Sequence, residues 1–182
     1  PSRRRYNETG REGRAHLLNR QFAIFLGAGL AVAGVLVAAI LYWTRGAHVE
    51  LKGSVAKVRV QAMDERSAVA IADFRFVNPS NHPFVVRAVE VTLVDEDGKP
   101  HSGMVVAEAD ARRLFEYFPL LGQKFNDTLT IRQSVAPRQG MDRMIAARFE
   151  ISEARVRARR NLRIRVEDVD GAVSLIEERP AN

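Results

Sequence analysis

The side chains best suited to hold a metal or move a proton near neutral pH are the four histidines, His16, His48, His82 and His101, and they are scattered along the chain. No two stand at the His-x-x-x-His or His-x-x-Glu-His spacing that puts metal ligands on one helical face. They therefore predict ordinary surface histidines and no metal site. His82 and His101 would meet only if their loops fell at the same end of the fold. Asp95, Glu96 and Asp97 put three carboxylates in a row, but they lack the regular spacing of a calcium loop and read as turn residues before Gly98. No Gly-x-Ser-x-Gly elbow exposes a nucleophile, and no glycine-rich loop precedes a helix to cradle phosphate. The sequence predicts no catalytic residue, no cofactor and no small-molecule substrate.

Two clusters are candidates for contact rather than chemistry. Arg155, Arg157, Arg159 and Arg160 make a basic run; in a strand the first three share one face, and in a helix they spread around it. Such a run suits docking on anionic lipid or an acidic partner, or a solvated edge that discourages strand-to-strand aggregation. Phe115, Tyr117 and Phe118, with Leu120 and Leu121, are too closely spaced to point one way from a short helix. Phe115, Tyr117, Phe118 and Leu121 are thus a candidate partner contact, the alternative being that they close one end of the domain.

The element that positions everything else is Phe22 to Trp43, FAIFLGAGLAVAGVLVAAILYW, which has no charged side chain. As a helix it would span roughly 33 Å, enough for a hydrocarbon core of about 30 Å. It is apolar all round, unlike a core helix, and longer than the apolar part of a cleavable signal peptide. Tyr42-Trp43 with Arg45 resemble an interfacial anchor. A single transmembrane signal anchor is predicted. Within it Gly27, Ala31, Gly34 and Ala38 form a stripe of small residues on which another helix can pack closely.

Charge gives the orientation. Residues 1 to 21 hold six arginines and two glutamates, a net +4 out of +6 for the chain. Positive charge stays on the cytoplasmic side, which puts the N-terminus inside and residues 44 to 182 outside. The reading divides the chain into a basic cytoplasmic tail (1 to 21), the span (22 to 43), a linker (44 to 53) and an extracytoplasmic domain (54 to 178). Pro1 fits a chain from which an initiator Met has been removed, so that this is its natural start. With the tail's charge set apart, the domain has no basic surface interleaved with base-reading side chains, and nucleic acid is not a partner. The absence of Cys rules out disulfides, which suits an extracytoplasmic domain of a bacterium. The expected location is the bacterial cytoplasmic membrane, crossed once, with the domain on the periplasmic side.

From Ser54 the pattern alternates. Val58, Val60 and Ala62, then Phe74 and Phe76, then Val89, Val91 and Leu93 each give a strand with one dry face. Asn78 to Pro83 is a loop, and Asp97-Gly98 a turn leading to a short strand near Met104 to Ala107. Asp110 caps a helix that Pro119 ends. Thr128 to Arg132 resumes alternation with Leu129 and Ile131 inward; Ile145 to Ile151, Leu162 to Val166 and Ala172 to Glu177 follow. Ser152 to Arg160 fits a short helix or turn. Seven or eight short strands favour a mainly β domain, an antiparallel β-sandwich with one short helical insertion.

The stretch FRFVNPSNHPFVVRAVEVTLVDEDGKP, with the later VAPRQGMDRMIAARFEI and RIRVEDVDG, resembles the bacterial FxLYD-type and late-embryogenesis-abundant type 2 (WHy-like) domains. That resemblance implies an immunoglobulin-like sandwich without catalytic residues. Two function classes follow. One is a non-enzymatic, membrane-anchored accessory or structural subunit that meets lipid and other membrane subunits through its helix and its sandwich. The other is a stand-alone anchored binding or stress-protection module of the late-embryogenesis-abundant type.

Overall fold

The computed structural model describes the backbone of residues 12 to 44 and 50 to 178, and within the first helix the side chains at 22 and 24 to 40. The tail arginines before Glu12, the linker around His48, and the side chains of Arg14, His16, Arg20, Tyr42 and Trp43 lie outside the described residues. The chain divides into two compact units, Pro1–Ala47 and His48–Asn182. The boundary falls inside the expected linker.

The first unit contains helix α1 (Glu12–Thr44), which begins well before Phe22 and so takes in part of the stretch read as tail. Its described side chains are all exposed. Among the described residues no helix is long and apolar enough to cross a membrane.

The second unit is mainly β, with the chain order β1 (Lys52–Asp64), β2 (Ser67–Val77), β3 (Phe84–Val94), β4 (Pro100–Val105), α2 (Glu108–Tyr117), a 3-10 turn (Pro119–Leu121), β5 (Ser134–Val135), β6 (Gly140–Phe149), α3 (Glu153–Arg157), β7 (Asn161–Asp168) and β8 (Val173–Glu178). The strands bond in the order β4-β6-β2-β1-β8-β7-β3, and β3 returns to β4, so seven strands close into a ring with β5 attached to β3. This corrects the expectation of two separate antiparallel sheets. Two joints make the difference. At one, β4 divides its bonding: Pro100 to Gly103 pair with Val94 to Val91 of β3, while Met104 and Val105 pair with Arg148 and Ala147 of β6. At the other, β1 and β8 pair in parallel, through Ser54 with Glu177 and Val55 with Glu178.

Gly103 sits where β4 changes partner. A Cβ there would lie 2.7 Å from Cζ of Phe149 and 3.0 Å from the Cβ of Ala147, so the closing strand can come this near only without a side chain. Where β4 does not reach, residues 127 to 135 fill the seam. The Leu129 amide donates to Met144 O and the Val86 amide to Gln133 O, at 2.9 and 3.0 Å. Thr128 to Arg132 is therefore not the expected strand. Leu129 is buried, but Ile131 is exposed in a turn whose next residue, Arg132, has φ 68°. Among the described residues the one β-bridge of this stretch is that from Thr128 to Met144 of β6.

One core fills the ring, with Phe74, Phe76, Phe84, Phe149, Leu162 and Ile164 among its members. Phe74 and Phe76 face inward as their alternation predicts, with Arg75 exposed between them. In β3 the inward positions change parity, from Phe84 and Val86 to Val91 and Leu93, because a bulge between Val86 and Ala88 inserts one residue. β2 is buried on both faces over Ser67 to Asp73. Its outer face, Val69 and Ile71, joins Met144 and Ala146 of β6 in a second cluster beneath Ala111, Leu114 and Leu121. Helix α2 starts at Glu108, with Ala107 at the cap position, and not at an Asp110 cap; Asp110 lies in its first turn. Helix α3 is a second helical insertion, and its Val156 is buried in the ring core.

Truncating Phe74 to Ala should lower the unfolding free energy by about 3 to 5 kcal/mol, while Arg75→Ala should leave it nearly unchanged. Gly103→Ala should lower it by about 1 to 3 kcal/mol through overpacking against Phe149. Ser102→Ala, on the exposed neighbour, should have little effect. Thermal or urea unfolding of the four variants checks the inward register and the closing strand together.

Candidate functional site

The aromatic cluster does not form the contact surface expected of it. Leu121 is buried, and Phe115 and Phe118 are half-buried against the second cluster, so these three hold α2 and the 3-10 turn onto the outer face of β2 and β6. Only Tyr117 of the four is exposed, at 77%, with Leu120 at 89% and Phe125 at 67% nearby in sequence. Beneath them lies a residue that alternation alone assigns to solvent. Arg59 of β1 is nearly buried, and its Nη1 donates to Leu121 O and Gln123 O at 2.7 and 2.8 Å. Its Nη2 donates to Asp73 Oδ2 at 2.8 Å, and the guanidinium lies over the rings of Phe115 and Phe125. Asp73 also accepts from Asn126 Nδ2 at 2.9 Å, so one buried pair ties the loop after α2 to the barrel wall.

The basic run and the acidic turn, read separately in the sequence, meet each other. Asp95 is fully buried at the end of β3. Its Oδ1 accepts from the amides of Asp97 and Lys99, at 3.0 and 2.8 Å. Its Oδ2 accepts from Arg155 Nη2 at 2.5 Å and lies 2.8 Å from Nε2 of His101. Gly98, at φ 83°, completes the turn. Arg157 donates to Val60 O at 2.9 Å, on the edge of β1 beyond the last residue that pairs with β8. Arg159 grips Glu178 with two bonds, of 2.9 and 2.6 Å. These three arginines, in α3 and just after it, are engaged within the domain, although the side chains of Arg155 and Arg157 stay 41% and 60% exposed. His82 lies just before β3 and His101 opposite its other end, so the two do not approach each other. Among the described residues no group of His, Asp and Glu is placed to hold a metal ion.

The hydrogen bond with His101 holds the Asp95 carboxyl down at about 2, helped by the Lys99 amide and the charge of Arg155 against the opposing effect of burial. A carboxyl depressed in the folded state adds stability that is complete above its unfolded value of 3.8 and lost as the pH falls toward about 2. Asp95→Asn should therefore be destabilising at neutral pH, and its deficit relative to the native chain should shrink between about pH 4 and pH 2. Urea unfolding of both proteins across that window checks the sign.

Arg148 is held less closely than Arg155 or Arg159. Arg148 of β6 points to the outer face beside Met104, its partner in β4. Its side chain is 42% exposed and forms a long ion pair with Asp64 Oδ2, at 4.0 Å, while its Nε, like that of Arg59, is covered without a hydrogen-bond partner. Asp64 is also engaged elsewhere. Its Oδ2 accepts from Ser67 Oγ at 2.6 Å and its Oδ1 from the Arg66 amide at 2.8 Å, and the Ser67 bond is the main reason its pKa is lowered. Around Arg148 runs a groove of about 370 Å³ lined by Met63, Met104, Val105, Val106, Leu114 and the carboxylate of Asp110. Sequence reasoning missed it because its parts come from β1, β4, β6 and α2, and only closure of the ring brings them together.

The small-residue stripe on α1 is open. Gly27, Ala31, Gly34 and Ala38 are exposed, and a Cβ on Gly27 or Gly34 would meet nothing within 4 Å.

No family model and no curated protein matches the chain. Among solved structures it is similar to an uncharacterized β-sandwich protein of Clostridium difficile, 7% identical, with 71% of this chain and 86% of that one covered at a TM-score of 0.37. A likeness of that size carries no functional argument.

Proposed function

We propose that the chain is a non-enzymatic, single-pass membrane protein of the bacterial cytoplasmic membrane, acting as an accessory or structural subunit of a membrane complex. The observation that carries this reading is α1. It is a continuous 33-residue helix whose described side chains, at 22 and 24 to 40, are apolar and exposed. An apolar helix with no wet face is stable where lipid replaces water. The arginine-rich N-terminus then lies in the cytoplasm and the β domain outside. Gly27, Ala31, Gly34 and Ala38 offer a close-packing stripe to a neighbouring helix, and Tyr117, with Leu120, leaves apolar surface on the domain for a partner subunit.

Extraction in mild detergent followed by mass measurement tests the reading: a stoichiometric partner is expected. A lone monomer would favour the stand-alone anchored module that the resemblance to late-embryogenesis-abundant domains implies. Two further outcomes are expected. Protease added to intact spheroplasts should digest residues 50 to 178 and spare the N-terminal tail; protection of the β domain would reverse the orientation. Gly34→Leu adds bulk without polarity, so it should leave insertion intact and reduce co-purification of the partner.

A further inference from the structure

We infer that residues 107 to 126 form a lid that opens from the outer wall as a unit while the seven-strand ring stays closed, so that the apolar strip beneath it is exposed only in the open form. The inference is independent of the accessory-subunit reading. Both ends of the segment are fastened to the same strand. The Val106 amide donates to Ala146 O at 2.8 Å, and the Met144 amide donates to Asp127 O at 2.9 Å, so the chain leaves β6 and returns to it two residues away. The pairings that close the ring, of β4 with β3 and β6 and of β1 with β8, all lie outside the segment. A loop whose ends are held together in this way can lift without breaking a strand ladder.

Little apolar surface holds the lid down, and its latch is polar. It buries Ala111, Leu114 and Leu121, with Phe115 and Phe118 partly covered, against Val69, Ile71, Met144 and Ala146. None of these belongs to the ring core. An element with few buried contacts opens at a lower free energy than the whole domain. The latch is Arg59, through its bonds to Leu121 O and Gln123 O, together with Asn126 on Asp73. In the closed form Nε of Arg59 is covered without a partner, which costs part of what the latch contributes. Opening returns the guanidinium to water, and Arg59 still has Asp73 at 2.8 Å, so neither charge is left buried and alone. The strip that opening exposes, on the outer face of β2 and β6, is one that already accepts the apolar side of a helix, α2.

The chain has no Cys, so a single introduced thiol reports opening at a chosen place. Val69→Cys puts one beneath the lid and Val166→Cys puts one inside the ring, both at positions 0% exposed. Each full chain, in zwitterionic detergent micelles, is alkylated with iodoacetamide along a urea series below the global transition. Without urea the reporter beneath the lid should react at least about tenfold faster than the one in the ring. Its rate should also rise less steeply with urea, since opening the lid exposes less surface than unfolding does. Ile176→Val, in the ring core, should speed the ring reporter roughly two- to tenfold and leave the lid reporter unchanged. Arg59→Lys keeps a charge beside Asp73 but loses the fork that spans two carbonyls, and should speed the lid reporter about tenfold. Should Val69→Cys not fold, hydrogen exchange at the Leu121 amide, bonded to Phe118 O within the lid, reads the same opening with and without Ile176→Val. The proposal is overturned if the two reporters share one urea dependence, if Ile176→Val speeds opening of lid and ring alike, or if Arg59→Lys leaves the lid unchanged.

Discussion

A β-sheet leaves two edges of unpaired backbone groups, and this domain depends on having them joined. The joint is narrow. Six residues of β4 divide their bonds between β3 and β6, and the crossing is possible because Gly103 leaves room for the ring of Phe149. With that joint made, a single interior is defined, and the same strands can carry a second apolar layer outside it. The apolar run of β2 is buried on both faces for this reason, and α2 has a surface to sit on.

Charge follows the same geometry. The corner where β8 ends leaves one edge of β1 without a strand neighbour, and α3 occupies it with Val156 in the core and Arg157 on a free carbonyl. Arg155 reaches from that helix to the turn after β3, and Arg159, just beyond it, to the end of β8. Basic residues that look, in the one-dimensional chain, like a patch awaiting an anionic surface are the bolts of one end of the barrel. On the outer wall Arg59 and Asp73 hold the loop after α2 in the same way.

Much of this was legible in the sequence. Alternation placed Phe74, Phe76, Val91, Leu93, Leu162 and Ile164 on the dry side, because each strand has one face inside the ring and period two reports that directly. Pro119 marked the end of α2, and the Asp97-Gly98 turn fell where it was read. What alternation cannot report is a neighbour on the wet side. Asp73 and Arg59 sit at polar positions yet are buried, since α2 and the loop after it fold over them. The uninterrupted Ala68-Val69-Ala70-Ile71-Ala72 was the available signal for a strand covered on both faces. Ring closure was not legible either, because it rests on one glycine and on a parallel contact between strands at opposite ends of the domain. The groove around Arg148 is a product of that closure and shares its invisibility.

The parallel corner between β1 and β8 also governs when the domain can exist. Leu51 donates its amide to Ser174 Oγ across 123 residues of chain, and β1 and β8 pair just beside that bond. A chain made from its N-terminus has β1, β2 and β3 long before β8 emerges, so the hairpins form early and the ring waits for its last strand. Contacts this distant in sequence slow folding, because the loop they close must be ordered before they repay it. Until β8 arrives, β1 presents an open edge to whatever else is nearby. The vulnerable moment of this protein is its synthesis, and the short strand at the very end of the domain is what closes it.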